Sequence, residues 1–198
     1  MGVWERRMSH PNEILDFWFS KPDEADYGKS RKVWFTKNPE FDREVRSRFL
    51  KDYQQAATGQ LDDWKISPLS CLALIILFDQ FPRNMFRGQP EAFATDPQAL
   101  AYAKYAIERG FDKELLPIQC WFVYMPFEHS ENLADQHKSV ELFSKLQDYP
   151  ECASGVDYAL RHLKVIERFG RFPHRNKILC RETTPEEAEF LKQPGSSF

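Results

Sequence analysis

Glycine is scarce in this chain, with 8 in 198 residues, and none of them falls in a G-x-x-x-x-G-K or G-x-G-x-x-G pattern. The two loops that cradle phosphates on backbone N–H groups are thereby excluded. No G-x-S-x-G elbow is there to present a serine nucleophile. The four cysteines, Cys71, Cys120, Cys152 and Cys180, form no C-x-x-C pair, which removes a thiolate zinc cage and a dithiol redox motif. H-E-x-x-H is missing, and no two histidines stand four apart. His129, Glu128, Glu131 and Asp79 are ligand types without ligand spacing, so no metal and no cofactor are expected. Neither sign of charge dominates: 27 Lys and Arg against 30 Asp and Glu leave a net charge of -3, with no basic footprint for nucleic acid. No apolar run approaches the ~20 residues that a bilayer span needs. The first residues, MGVWERRMSHPNE, lack the apolar core of a signal peptide, and Arg6 stands where a myristoylation signal wants Ser or Thr. A cytoplasmic setting is expected, with no membrane partner.

What the chain has is aromatic and apolar residues, 15% and 42% of the whole. This composition, at this length, fits one globular domain over 1–198, with an ordered core over 10–192 and frayed ends. The chain is organised around SPLSCLALIILFDQFPRNMFRG, Ser67 to Gly88. Ser67 is placed to cap a helix and Pro68 to open it. Cys71 to Phe78 has no polar face, so that helix must be buried on all sides. Asp79, Gln80, Arg83, Asn84 and Arg87 then arrive together, with Pro82 and Gly88 expected to break the chain among them.

The remainder reads as further helices with short connections. A short helix over 11–19 has Ile14, Leu15 and Trp18 on one side, and one turn over 30–35 docks Trp34 and Phe35. Asn38 caps a helix carrying Phe41, Val45, Phe49 and Tyr53, ended by Gly59. Thr95 caps the next, which runs to Gly110. Helices are expected over 113–125, stopped by Pro126, over 131–147, capped by Ser130, and over 152–169. Thr184, Pro185 and Glu187 form a capping box that starts the last. The fold class is all-α: stacked antiparallel helices. One echo occurs: Phe81-Pro82-Arg83-Asn84 parallels Phe172-Pro173-His174-Arg175-Asn176, with one residue inserted. Either the Phe-Pro step is a shared way to end a helix, or two related corners face one cleft.

Three blocks, FDQFPRNMFRG, PFEHSENLADQ and FGRFPHRNKILCRETTPEE, resemble the signature blocks of the bacterial family catalogued as domain of unknown function 924. The resemblance implies a tetratricopeptide-like α-α superhelix with irregular repeats, and no reaction. Cys180 departs from the Leu-Gly-Arg that the family pattern leads one to expect, and a Cβ there is costly if the backbone needs positive φ.

The blocks define the candidate site. Asp79, Arg83, Asn84, Arg171, His174 and Arg175 are candidate ligand-binding residues, with the arginines suited to holding a phosphate or carboxylate. The ligand expected is a small anionic molecule or a peptide. The alternative is an enzyme in which His129 is the acid–base group, oriented by Glu128 or Glu131 and raised in pKa by them. Against both stands a plain reading in which these charges pair within the helical stack. His162 is read as a hydrogen-bonded core histidine, and His10 and His137 as surface residues.

Overall fold

The computed structural model describes residues 10–197; the expectations for the first nine residues lie outside them. Eight α-helices and no strand occur among the described residues: α1 Pro11–Phe19, α2 Pro39–Ala57, α3 Pro68–Met85, α4 Asp96–Glu108, α5 Pro117–Glu128, α6 Leu133–Ser144, α7 Gly155–Phe169 and α8 Pro185–Phe190. Six of these have Pro at the first or second position, where its fixed φ is already helical and its missing N–H would have had no partner. Side-chain caps complete the starts: Asn38 accepts from Glu40 and Phe41 N–H, Asn132 from Ala134 and Asp135 N–H, and Thr184 and Glu187 form the capping box. His10, a surface residue, accepts weakly from Asn12 N–H at 3.4 Å.

Helix α3 is the centre. Cys71 through Pro82 is buried without interruption, and α1, α2, α4 and α5 pack around it. Aromatic side chains fill the space between: Phe17, Trp18, Phe41, Phe49, Phe81 and Phe122 meet with ring centroids 4.8–6.2 Å apart, stacked or edge-on as the ring quadrupoles favour. Beyond α5, α6 packs on α7. A small second cluster of Val165, Ile166, Phe172 and Phe190 attaches the C-terminal segment.

Several boundaries differ from the sequence reading, and most differences involve proline. Neither Pro82 nor Pro126 ends its helix; both lie inside, in α3 and α5. The helix expected over 113–125 is a 3-10 turn, Phe111–Glu114, followed by α5 starting at Pro117. Helix α6 is capped by Asn132 instead of Ser130. Helix α7 starts at Gly155 after a 3-10 turn at Pro150–Cys152. Trp34 docks by stacking on Trp18, whereas Phe35 stays 52% exposed.

Candidate functional site

A proline inside a helix removes one N–H and leaves the carbonyl four residues earlier without its helical partner. In α3 that carbonyl is Phe78 O, and it accepts from the Thr95 hydroxyl at 2.7 Å. Thr95 therefore does not cap α4 with its side chain, as the sequence suggested; it repairs α3. The next carbonyl, Asp79 O, accepts from Arg83 Nη1 at 2.6 Å. The interruption at Pro82 thus draws Thr95 in, while Arg83 folds back one turn beside Asp79.

Asp79 is fully buried. Its Oδ1 lies 2.6 Å from His129 Nδ1, at the end of α5, and 3.6 Å from Arg83 Nη1. Its Oδ2 accepts from Gln80 Nε2. Arg83 forms a fork on Asp96, at 2.8 and 3.1 Å. Arg175 reaches the same carboxylate from the C-terminal segment, with one contact of 3.3 Å. The Arg175 guanidinium lies between the rings of Phe93 and Phe172, 4.7 and 4.6 Å from their centroids. Arg175 is 93% buried by its 7% exposure, and its Nε has no hydrogen-bond partner. The three sequence blocks therefore do meet: Asp79 and Arg83, His129, and Phe172 with Arg175. The two Phe-Pro steps differ locally, one inside a helix and one in the turn Pro173–Arg175. Their arginines nevertheless share one carboxylate.

The electrostatics follow from burial and these pairings. Burial pushes the Asp79 carboxyl up, but the hydrogen bonds from His129 and Gln80 and the Arg83 charge outweigh it and hold it well below its usual range. For His129 the sequence predicted an upward shift. The structure gives a downward one: burial and Arg83 outweigh the pull of Asp79. An ionised buried carboxylate can only accept, so Nδ1 carries the proton of the neutral ring, and Nε2 keeps its lone pair. Among the described residues, Nε2 has no hydrogen-bond partner. Arg175 is lowered to about 10, by burial and then by Arg83. His174 is lowered to about 4, by burial and Arg175.

The neighbouring acids do not orient His129. Glu128 is buried and faces α7, with Oε1 3.2 Å from His162 Nδ1. Burial, with Asp79 nearby, pushes Glu128 up to about 8. His162 donates to Tyr158 O at 2.9 Å and is pushed down to about 3, mainly by burial. The two face each other as a neutral acid and a neutral imidazole, in keeping with the core reading of His162. Glu131 accepts from Phe172 N–H at 2.7 Å and pairs with Arg181 at 2.7 and 3.0 Å. Two expected site residues are engaged elsewhere: Arg171 forks onto Glu187 at 2.6 and 2.8 Å, and Asn84 donates to Asp42 at 2.8 Å. Sequence reasoning missed Asp96, which looked like an ordinary helix-start acid, and Phe93. A shallow groove along α2, lined by Arg43, Arg46, Arg48, Lys51 and Gln54 among others, shares no residue with this cluster.

The family profile described as "Bacterial protein of unknown function (DUF924)" matches residues 14–195. The chain belongs to this family. The solved structure of a protein of unknown function, ATU0120 from Agrobacterium tumefaciens, is similar to the DUF924 chain at 41% identity with a TM-score of 0.81. The similarity covers 92% of this chain and 96% of that one. No curated protein matches. All three blocks quoted above lie within the matched residues of the DUF924 profile.

Proposed function

We propose that this DUF924 protein binds a small anionic molecule between Arg175 and Arg83, beside His129. The observation that carries the reading is Arg175. A guanidinium has five N–H donors, and this one is 93% buried by its 7% exposure, with a single 3.3 Å contact and an unpartnered Nε. A buried charge so thinly engaged is costly unless a further partner satisfies it. The rings of Phe93 and Phe172 hold its plane, leaving its edge for a planar or tetrahedral oxyanion. Arg83 is a different case. Its fork is spent on Asp96 and its remaining contact on Asp79, so it contributes field and shape, and Arg175 contributes the grip. The groove along α2 supports no comparable site, because Arg48 there pairs with Glu44 and Arg46 donates to Met85 O.

Thermal unfolding across a panel of phosphate esters and carboxylates tests this. A ligand at about 100 times its Kd stabilises by about 2.7 kcal/mol, which for a chain of this size raises Tm by about 5–10 °C. At least one such anion should shift the wild type, and the shift should vanish in Arg175→Gln. A panel without any shift, or one that shifts both proteins equally, contradicts the reading.

A further inference from the structure

Resting on that reading, we propose that His129 selects the ligand: the site takes an anion bringing its own O–H donor, a phosphate monoester in its monoanionic form, in preference to an isosteric oxyanion without a proton. The argument is one of donors and acceptors. Arg175 offers N–H groups, which accept no proton and suit any oxyanion equally. His129 is different in kind. Asp79, buried and ionised, occupies Nδ1 at 2.6 Å and can only accept, so the one proton of the neutral imidazole is fixed there. Nε2 is left as a lone pair. A ligand oxygen carrying a proton donates to it, whereas a bare anionic oxygen meets lone pair against lone pair.

His129 and Arg175 are tied into one cluster through Arg83, whose Nη1 contacts both Asp79 Oδ1 and Asp96, while Arg175 takes the other Asp96 oxygen. The ionisable groups around His129 come from every side: Asp79 and Arg83 from α3, Asp96 from α4, Glu128 on its own helix, Glu131 at the junction after it, His162 from α7, and His174 and Arg175 from the C-terminal segment. Burial and the Arg83 guanidinium lower His129 below its ordinary value, so the acceptor is present at neutral pH.

Methyl phosphate and methyl sulfate separate the possibilities, since they match in shape and, at low pH, in charge. The phosphate ester loses its last proton at about pH 6; the sulfate ester has none to lose. Calorimetric titration of the wild type at pH 6 and constant ionic strength should show methyl phosphate binding at least about tenfold tighter. The advantage should shrink by pH 8. In Asp79→Asn the amide can donate to Nδ1 and move the ring proton to Nε2, so the preference should narrow or reverse. Should that variant fail to fold, the wild-type comparison decides alone. Equal affinities at pH 6 would overturn the role of His129 while leaving anion binding in place. Binding of neither ester would overturn both.

Discussion

Arg83 was a candidate ligand group in the sequence and is an ion-pair partner in the structure. Its fork on Asp96 and its contacts to Asp79 are largely shielded from solvent, with 20% of its side chain exposed. Removing one member of such a set leaves buried charge uncompensated. Arg83→Ala should therefore lower stability by about 3–5 kcal/mol in urea denaturation; a loss below about 1 kcal/mol would mean that the pair behaves as an exposed one. Glu128 yields a pH prediction. Its folded pKa of about 8 lies far above the unfolded value of about 4.3. Across that interval the folded state holds a proton that the unfolded state has lost, so stability falls as pH rises. His129, His162 and His174, all lowered on folding, act in the opposite sense, most strongly below about pH 6.5, where unfolded histidine takes up protons. At pH 6.5 the histidines of the unfolded chain are still about half protonated, so between pH 6.5 and 8 they offset part of the Glu128 effect. The Glu128 contribution is read as a difference: over that window the wild type should lose roughly 1–2 kcal/mol more stability than Glu128→Gln, and an equal pH dependence of the two proteins would refute the assignment. At this scale the residue types were legible and the partners were not. Asp79 and His129 stand 50 residues apart in sequence, and nothing local distinguishes Asp96 from any acid at a helix start.

Among the elements, α3 shows why a proline was misread. In sequence Pro82 reads as a stop, and in an isolated helix it would destabilise by roughly 3 kcal/mol. A tertiary contact offsets that preference here: Phe78 O, the carbonyl Pro82 leaves without its helical donor, finds the Thr95 hydroxyl. Continuing the helix to Met85 is what carries Arg83 to Asp96. Thr95→Val keeps the shape of the side chain and removes the donor, leaving a buried carbonyl unsatisfied. It should cost about 1–3 kcal/mol, measured by thermal or urea unfolding, and a neutral outcome would mean that Phe78 O does not depend on Thr95. The departure of Cys180 from an expected Gly raised the question of a positive φ, and its φ is 53°, the left-handed region that Gly occupies without strain. The starts of α1, α2, α3 and α8 were legible because capping residues and prolines act locally, whereas α5, α6 and α7 start two to four residues later than the sequence reads. Helix ends near internal prolines were not legible, because they depend on side chains far away in sequence.

For the whole molecule, the unbroken apolar run from Cys71 to Phe78 placed the central helix, and α3 lies there with other helices on all sides. The all-helical class was legible for the same reason: apolar stripes at helical spacing recur through the chain, and no stretch alternates. Among the described residues no helix is long and apolar enough to cross a membrane. Ile76 is fully buried, so Ile76→Asp should abolish the soluble folded protein; a variant with normal Tm would contradict the central position of α3. The meeting of three polar blocks beside α3 was one of two arrangements the sequence allowed, and which helix ends come together is set by packing. The claim that matters most is that this meeting place holds an anion. A crystal structure of the wild-type protein grown at pH 6 with saturating methyl phosphate tests it most directly. The account predicts the ester on the free edge of Arg175, with its O–H within hydrogen-bond distance of His129 Nε2. An unoccupied Arg175 edge at saturation, or the ester bound only elsewhere such as along α2, would contradict it.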